Sequence, residues 1–159
     1  MNTDFSDLLR EFCAAGVRFL LVGAHALAVH AEPRATGDLD VWIASDRENA
    51  VRVYAALVHF GAPLEKVTID DFTSEDLIYQ MGVVPVRIDV ITAVDGVSFE
   101  EAWLGRVEVD IDGINVPVIG RAAFLVNKRA SGRPKDLGDV ELVLRHHPED
   151  RDVKTSPPM

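Results

Sequence analysis

Apolar positions along the chain follow a helical period in some stretches and strict alternation in others, and the changes between the two mark out the elements. Phe5, Leu8, Leu9 and Phe12 recur at helical spacing and predict an amphipathic helix over 4–15, with Gly16 as its stop. Cys13 falls within this apolar stretch and is expected in the core. "VRFLLVG" (17–23) reads as a central strand ending in glycine, and "AHALAVHA" (24–31) as a helix. After the turn-forming "EPRATG" a second strand is expected at 39–43, then a helix to about residue 60, opened by a Ser45/Glu48 capping box and closed at Gly61. Residues 62–76 read as loop with a short helical turn.

Farther on, "LIYQM" and "PVRIDVI" flank Gly82 and read as two paired strands. Ser98 and Glu101 repeat the capping-box spacing ahead of a short helix, and "RVEVDIDGINVPVI" alternates about Asp112-Gly113, the dipeptide of a tight hairpin. Two helices follow at about 121–131 and 134–146, with Pro134 suited to a first helical position. Trp42 and Trp103 are expected in the core. The stretch from 148, "PEDRDVKTSPPM", has little to bury, so the reading is one domain over 1–147 and a disordered tail over 148–159.

Composition narrows the function classes. A chain of 159 residues with 48% hydrophobic content supports one domain with a real core. Its net charge of -10 argues against a broad basic surface for duplex DNA. Any nucleic-acid partner requires a local patch, for which Arg121, Lys128, Arg129, Arg133 and Lys135 are the candidates. One cysteine rules out an intramolecular disulfide. Neither a basic, apolar leader nor a membrane-length apolar run is evident, so the chain is expected to be soluble, cytoplasmic and free of membrane contacts.

The chemistry concentrates in "RATGDLDVWI" (34–43). In a strand, Asp38 and Asp40 project to one face while Leu39 and Val41 point to the other. Two carboxylates at one spot raise each other's pKa unless a cation or hydrogen-bond donors offset them, and a divalent metal is the economical answer. Asp89 in "VRIDVI" shares a face with Arg87, so if that strand lies beside the first, three acids surround one site. Such a set suits Mg²⁺, which keeps waters and substrate phosphates among its ligands, and a pair of such ions serves phosphoryl transfer. Asp-x-Asp alone is equally a polar strand face. What changes the weighting is the glycine at the head of a helix before it, where backbone N–H groups make an anion site.

At these residues the sequence resembles the DNA polymerase beta-like nucleotidyltransferase superfamily, marked by a strand ending in Gly-Gly or Gly-Ser, a helix, and a strand bearing Asp-x-Asp. Gly23, Asp38 and Asp40 match. Within it the chain is most similar to small bacterial nucleotidyltransferase-like proteins related to toxins of type IV toxin-antitoxin and abortive-infection systems. Those carry Arg-x-Thr-x-Asp-x-Asp, here Arg34, Thr36, Asp38 and Asp40, and a C-terminal Lys before an Arg-x-Lys-Asp-like segment, here "NKRASGRPKDLGD". The resemblance spans roughly residues 5–145. It implies an α+β fold, a mixed β-sheet flanked by helices with further C-terminal helices. It also implies Mg²⁺-dependent (or Mn²⁺-dependent) transfer of a nucleoside monophosphate from a nucleoside triphosphate to a hydroxyl of RNA, a transfer RNA end included, or of protein, with an antitoxin protein as a possible partner. Under it Asp38 and Asp40 hold metal, Asp89 assists the metal or activates the hydroxyl, Lys128 contacts triphosphate, and Asp136 completes a nucleotide pocket bordered by Gly23, Ala24, Arg34 and Thr36. Ala24 departs from the pattern, since a serine hydroxyl there is lost and only backbone N–H groups remain for phosphate. The competing expectations are a degenerate nucleotide- or partner-binding protein and a phosphodiesterase. Arg34 is open to two roles, binding phosphate or pairing with Asp38 in the metal-free protein, and Asp139 reads as a helix-dipole acid.

Overall fold

The structure is a computed structural model and describes residues 1–83 and 86–152. Among these, six strands and six α-helices alternate in an α+β arrangement. Helix α1 (Thr3–Ala14) buries Phe5, Leu8, Leu9 and Phe12 on one stripe, capped at its start by the Asn2 side chain. It leads into β1 (Phe19–Val22), buried along its length, which passes directly into α2 (Gly23–His30). Strand β2 (Asp38–Ile43) and α3 (Arg47–Phe60) follow, and a single 3-10 turn over Asp70–Thr73 anchors the next loop through fully buried Phe72. Strands β3 (Ile78–Val83) and β4 (Val86–Ile91), helix α4 (Phe99–Leu104), the hairpin β5 (Val107–Ile111) and β6 (Ile114–Val118), and helices α5 (Arg121–Ser131) and α6 (Pro134–His146) complete the order.

The strands form one sheet in the order β3-β4-β2-β1-β6-β5. It is mixed: β2 runs parallel to β4 and β1 parallel to β6, while the β1–β2, β3–β4 and β5–β6 pairs are antiparallel. Between β2 and β4 the chain runs through α3 and β3, and the parallel pairing that results brings two sequence-distant strands into register. Leu39 and Val41 face Ile88 and Val90 in that register, and all four are buried. The opposite face of β2 carries Asp38, Asp40 and Trp42. Trp42 packs edge-on to the Phe99 ring 5.2 Å away, so α4 covers that end of the strand and the acid-bearing end is left for other company.

Several expectations change in detail. The cap of α3 is Asp46, whose side chain accepts from the Asn49 backbone N–H, rather than Ser45; the aspartate sits immediately before the first helical residue and does the same job. Cys13 is exposed, not in the core, because it follows Phe12 by one residue and so points about 100° round the helix from the buried stripe. Trp103 is only half-buried. It lies between the Arg18 and Arg106 guanidinium groups, 5.1 and 3.9 Å from its ring, rather than within the core. The expected disordered tail begins with order: Pro148–Asp152 forms a 3-10 turn in which Asp150 pairs with Arg121 and Arg151 pairs with Glu141. Residues 153–159 of that tail lie outside the described residues. No helix among the described residues is long and apolar enough to cross a membrane.

Candidate functional site

The site is assembled where β1 ends, β2 begins and α5 and α6 lean over the sheet. Gly23 has φ +68, a left-handed conformation that glycine adopts freely. A Cβ there would lie 2.3 Å from Asp40 Oδ2, so the absence of a side chain is what lets the Asp40 carboxylate pack against the backbone at the head of α2. Asp40 stands directly opposite Asp89 across the parallel β2–β4 pair, and Asp38 opposite Arg87. The Asp40 and Asp89 carboxyls are close enough to shift each other's protonation, and Gln80, opposite Asp89 on β3, favours the ionised form of Asp89. Asp89 Oδ1 is buried and, among the described residues, has no hydrogen-bond partner.

Their electrostatics follow from crowding. Burial first, then the charges of Asp89 and Asp38, push the Asp40 carboxyl up to about 6, against an opposing pull from Lys128. Burial raises Asp89 too, with Arg87 as the principal opposing influence. The pair therefore shares a proton in conditions where an ordinary pair of carboxylates holds none.

A second set of charges faces them. Asp136 and Asp139 on α6 are 2% and 6% exposed. Asp139 receives Arg34 at 2.6 Å and lies 3.4 Å from the Lys128 ammonium; Asp136 receives Arg133 at 2.8 Å and lies 3.5 Å from the same ammonium. Burial works to raise Asp136, but the Arg133 hydrogen bond and the Lys128 charge outweigh it and hold this carboxyl below its ordinary value. Three cations, Arg34 from the loop before β2, Lys128 from α5 and Arg133 at the cap of α6, are thus fixed by two buried acids. Arg34 remains 38% exposed and lines the smaller of the two cavities at the site.

Two adjoining cavities share Gly23, Asp40, Lys128, Arg133 and Asp136. One, of about 220 Å³, is also bordered by Ala24, Arg34, Thr36 and Asp38. The other, of about 360 Å³, is also lined by Ile78, Ile91 and Val94 together with Asp95, Asn127 and Ser131. Asp89 borders neither; it sits against Asp40. Thr36 is occupied locally, its hydroxyl accepting the Asp38 backbone N–H at 3.1 Å. His25 and His30, both on α2, have packing roles. His25 lies edge-on to Phe5, and His30 Nε2 donates to the Ile119 carbonyl 2.7 Å away.

Three readings of the sequence are altered. Arg34 pairs with Asp139, and the cation beside Asp38 is Arg87. Asp139 is a partner in the cation network, not merely a dipole acid; its three-residue spacing from Asp136 was the available signal. The three carboxylates do not close on one point, since Asp38 leans toward Arg87, and no group of three or more His, Cys, Asp or Glu among the described residues is disposed to hold a metal ion. The donor chemistry nonetheless fits a hard divalent cation. Asp40 and Asp89 stand directly opposite each other, one buried oxygen of Asp89 has no hydrogen bond among the described residues, and Asp38 lies two residues from Asp40 on the same face. Of the expected basic patch, Lys128, Arg133 and Lys135 do line the cavity beside Asp38 and Asp40, whereas Arg121 is committed to Asp150 and Glu149.

No protein-family model and no curated protein matches the chain. Solved structures do. LnuA, a lincosamide antibiotic adenylyltransferase with lincomycin bound, superposes with a TM-score of 0.60 at 14% identity, over 90% of this chain and 96% of that one. ANT(2'')-Ia in complex with adenylyl-2''-tobramycin gives 0.58 at 15% identity, over 92% and 89%. TM1012 of Thermotoga maritima, a candidate nucleotidyltransferase, gives 0.53 at 13% identity, over 94% and 91%. At these identities the likeness is one of architecture, and it meets the expectation of a mixed sheet flanked by helices: the chain has a nucleotidyltransferase-like fold.

Proposed function

We propose that the chain transfers a nucleoside monophosphate from a nucleoside triphosphate to an acceptor hydroxyl. The observation that supports this best is the in-register Asp40–Asp89 pair packed on Gly23 and faced by Lys128, Arg34 and Arg133. In the reaction the acceptor oxygen bonds to the α-phosphorus, the bond from that phosphorus to the bridging oxygen breaks, and pyrophosphate leaves. Arg34, Lys128 and Arg133 receive the triphosphate, with backbone N–H groups at the head of α2 in place of the serine hydroxyl absent at Ala24. Asp89, which borders the cavities only through its neighbour Asp40, is the residue the family resemblance assigns to the metal or to the acceptor proton. Asp38, Asp40 and Asp89 would hold Mg²⁺, or Mn²⁺, whose contribution when bound is to neutralise charge on the reacting phosphate.

The acceptor expected from the sequence is RNA, a transfer RNA end in particular, or a protein, with the chain as the toxic member of a pair whose antitoxin is a separate protein. One observation favours a second reading. With a net charge of -10, and with Arg121 outside the cavity that Arg34, Lys128, Arg133 and Lys135 line, the cations serve a triphosphate rather than a nucleic-acid backbone, and the adjoining cavity, lined by Ile78, Ile91 and Val94 among polar groups, suits a small hydroxylated acceptor, the class that LnuA and ANT(2'')-Ia act on. Incubation with α-labelled nucleoside triphosphates, Mg²⁺ and, in separate reactions, transfer RNA, cell protein and small polyhydroxylated antibiotics tests both. Label should appear in one acceptor class and vanish with Asp40→Asn. Nucleotide-dependent thermal stabilisation with no labelled acceptor in any reaction would instead identify a non-catalytic binder.

A further inference from the structure

Arg87 has no part in the transfer as described, yet it stands directly opposite Asp38 in the β2–β4 register and two residues from Asp89 on its own strand. Its guanidinium is divided between the two acids without a close bond to either. Nη2 lies 3.5 Å from Asp38 Oδ2 and Nε 3.6 Å from Asp89 Oδ1. Nε and the Oδ1 it faces are both buried, and neither has a hydrogen-bond partner among the described residues. Arginines that clamp a carboxylate approach to about 2.7–2.9 Å. Arg34 and Arg133 do so in this chain, at 2.6 and 2.8 Å. The Arg87 contacts are those of a charge lodged between acids, not of a clamp. Space for it to leave is also present. The Arg87 side chain is already 32% exposed, so its way out is toward solvent.

We propose that Arg87 is an internal counter-cation. It takes the place of the divalent ion between Asp38 and Asp89 in the unloaded protein and is displaced when the ion enters, so it is a positioning residue that sets the affinity of the site for metal. The inference rests on the metal-dependent reading of the site given above. It accounts for the failure of the three acids to close on one point: Arg87 stands between Asp38 and Asp89 while no ion takes that place. A unit charge roughly 6 Å from a divalent ion, at water-like screening, alters the ion's affinity about tenfold.

The test is Mn²⁺ binding to the nucleotide-free protein, read from the paramagnetic resonance signal of free Mn²⁺, for the wild type, Arg87→Met, Arg87→Gln and Arg87→Lys. The two neutral variants should bind about tenfold more tightly than the wild type, and the lysine variant should bind like the wild type. Gln retains a donor between the acids and stands in should the methionine protein not fold. Equal or weaker binding by the neutral variants, with the wild type binding, overturns the counter-cation while leaving the metal site intact. If neither the wild type nor any variant binds Mn²⁺, with or without nucleoside triphosphate, the metal-dependent reading fails and this inference with it.

Discussion

Replacing Asp40 by Asn should make the metal-free protein more stable, by an amount that depends on pH in a calculable way. The folded Asp40 carboxyl titrates at about 6 against an ordinary value of 3.8, so between those limits the folded chain holds a proton that the unfolded chain has released. Stability therefore falls as pH rises through that window and stays reduced above it. A displacement of roughly two pH units at 1.36 kcal/mol each sets an upper bound of about 3 kcal/mol above pH 6. The carboxyl is not fully buried, and solvent screening reduces the usable figure to about 1–2 kcal/mol. Asn matches Asp in shape, fits against Gly23 and can still donate to Asp89, so it removes the repulsion without adding a clash. For a domain of this size the gain corresponds to a rise of about 2–6 °C in Tm near pH 7.5. Thermal melts of both proteins in a chelator, from pH 7.5 downward, measure it. The gap should be largest at pH 7.5, narrow below 6 and close near 4, while the same substitution abolishes transfer. A variant no more stable than the wild type at pH 7.5, or a gap unchanged across the range, would refute the account of the acid pair.

Three further outcomes are expected. Gly23→Ala should destabilise the fold by about 2–4 kcal/mol in urea melts, through a left-handed backbone and a Cβ driven into Asp40 Oδ2, and Asp40→Ala in the same chain should recover part of the loss. Lys128→Met should lower stability by about 1–3 kcal/mol, since two buried acids each lose a cation, and should abolish the rise in Tm on adding inorganic triphosphate. Burial, as the largest influence, lowers the pKa of both His25 and His30, so the folded chain binds fewer protons than the unfolded one. Their contribution is complete above about 6.5 and is lost as pH falls below it. In the Asp40→Asn background, where the Asp40 gain that opposes this is removed and only that of Asp89 remains, melts should show an acid loss below about 6.5 that His30→Gln diminishes.

Local chemistry was readable in the sequence wherever a few neighbouring residues decide the outcome. The bounds of α5 and α6, the Ser98 cap on the Glu101 backbone N–H and the Asp112–Gly113 turn all follow from spacing and turn preference. Errors arose where two neighbours compete for one job or where phase matters to a single residue, as with Ser45 against Asp46 and Cys13 beside Phe12. The Asp38, Asp40 and Asp89 grouping was legible as a conditional: it required β4 to lie beside β2, and strand order is settled by the packing of elements far apart in the chain. Arg87 shares a face with Asp89 in "VRIDVI", so its presence near the acids was readable. That it lies against Asp38, leaving Arg34 to Asp139, depends on the β2–β4 register and on how α6 docks, neither of which leaves a local trace.

The parallel register of β2 and β4 makes this site an all-or-none device. Residues of a strand alternate between its faces, so sliding β4 by a single position presents Ile88 or Val90 to Asp40 where Asp89 now stands, and no half-step exists between those states. Lengthening the loop between α3 and β3 merely adds slack, whereas one residue inserted within "VRIDVI" ahead of Asp89 erases the acid pair while leaving the composition nearly untouched. Tolerance to insertion along this chain should therefore change abruptly at the first residue of β4.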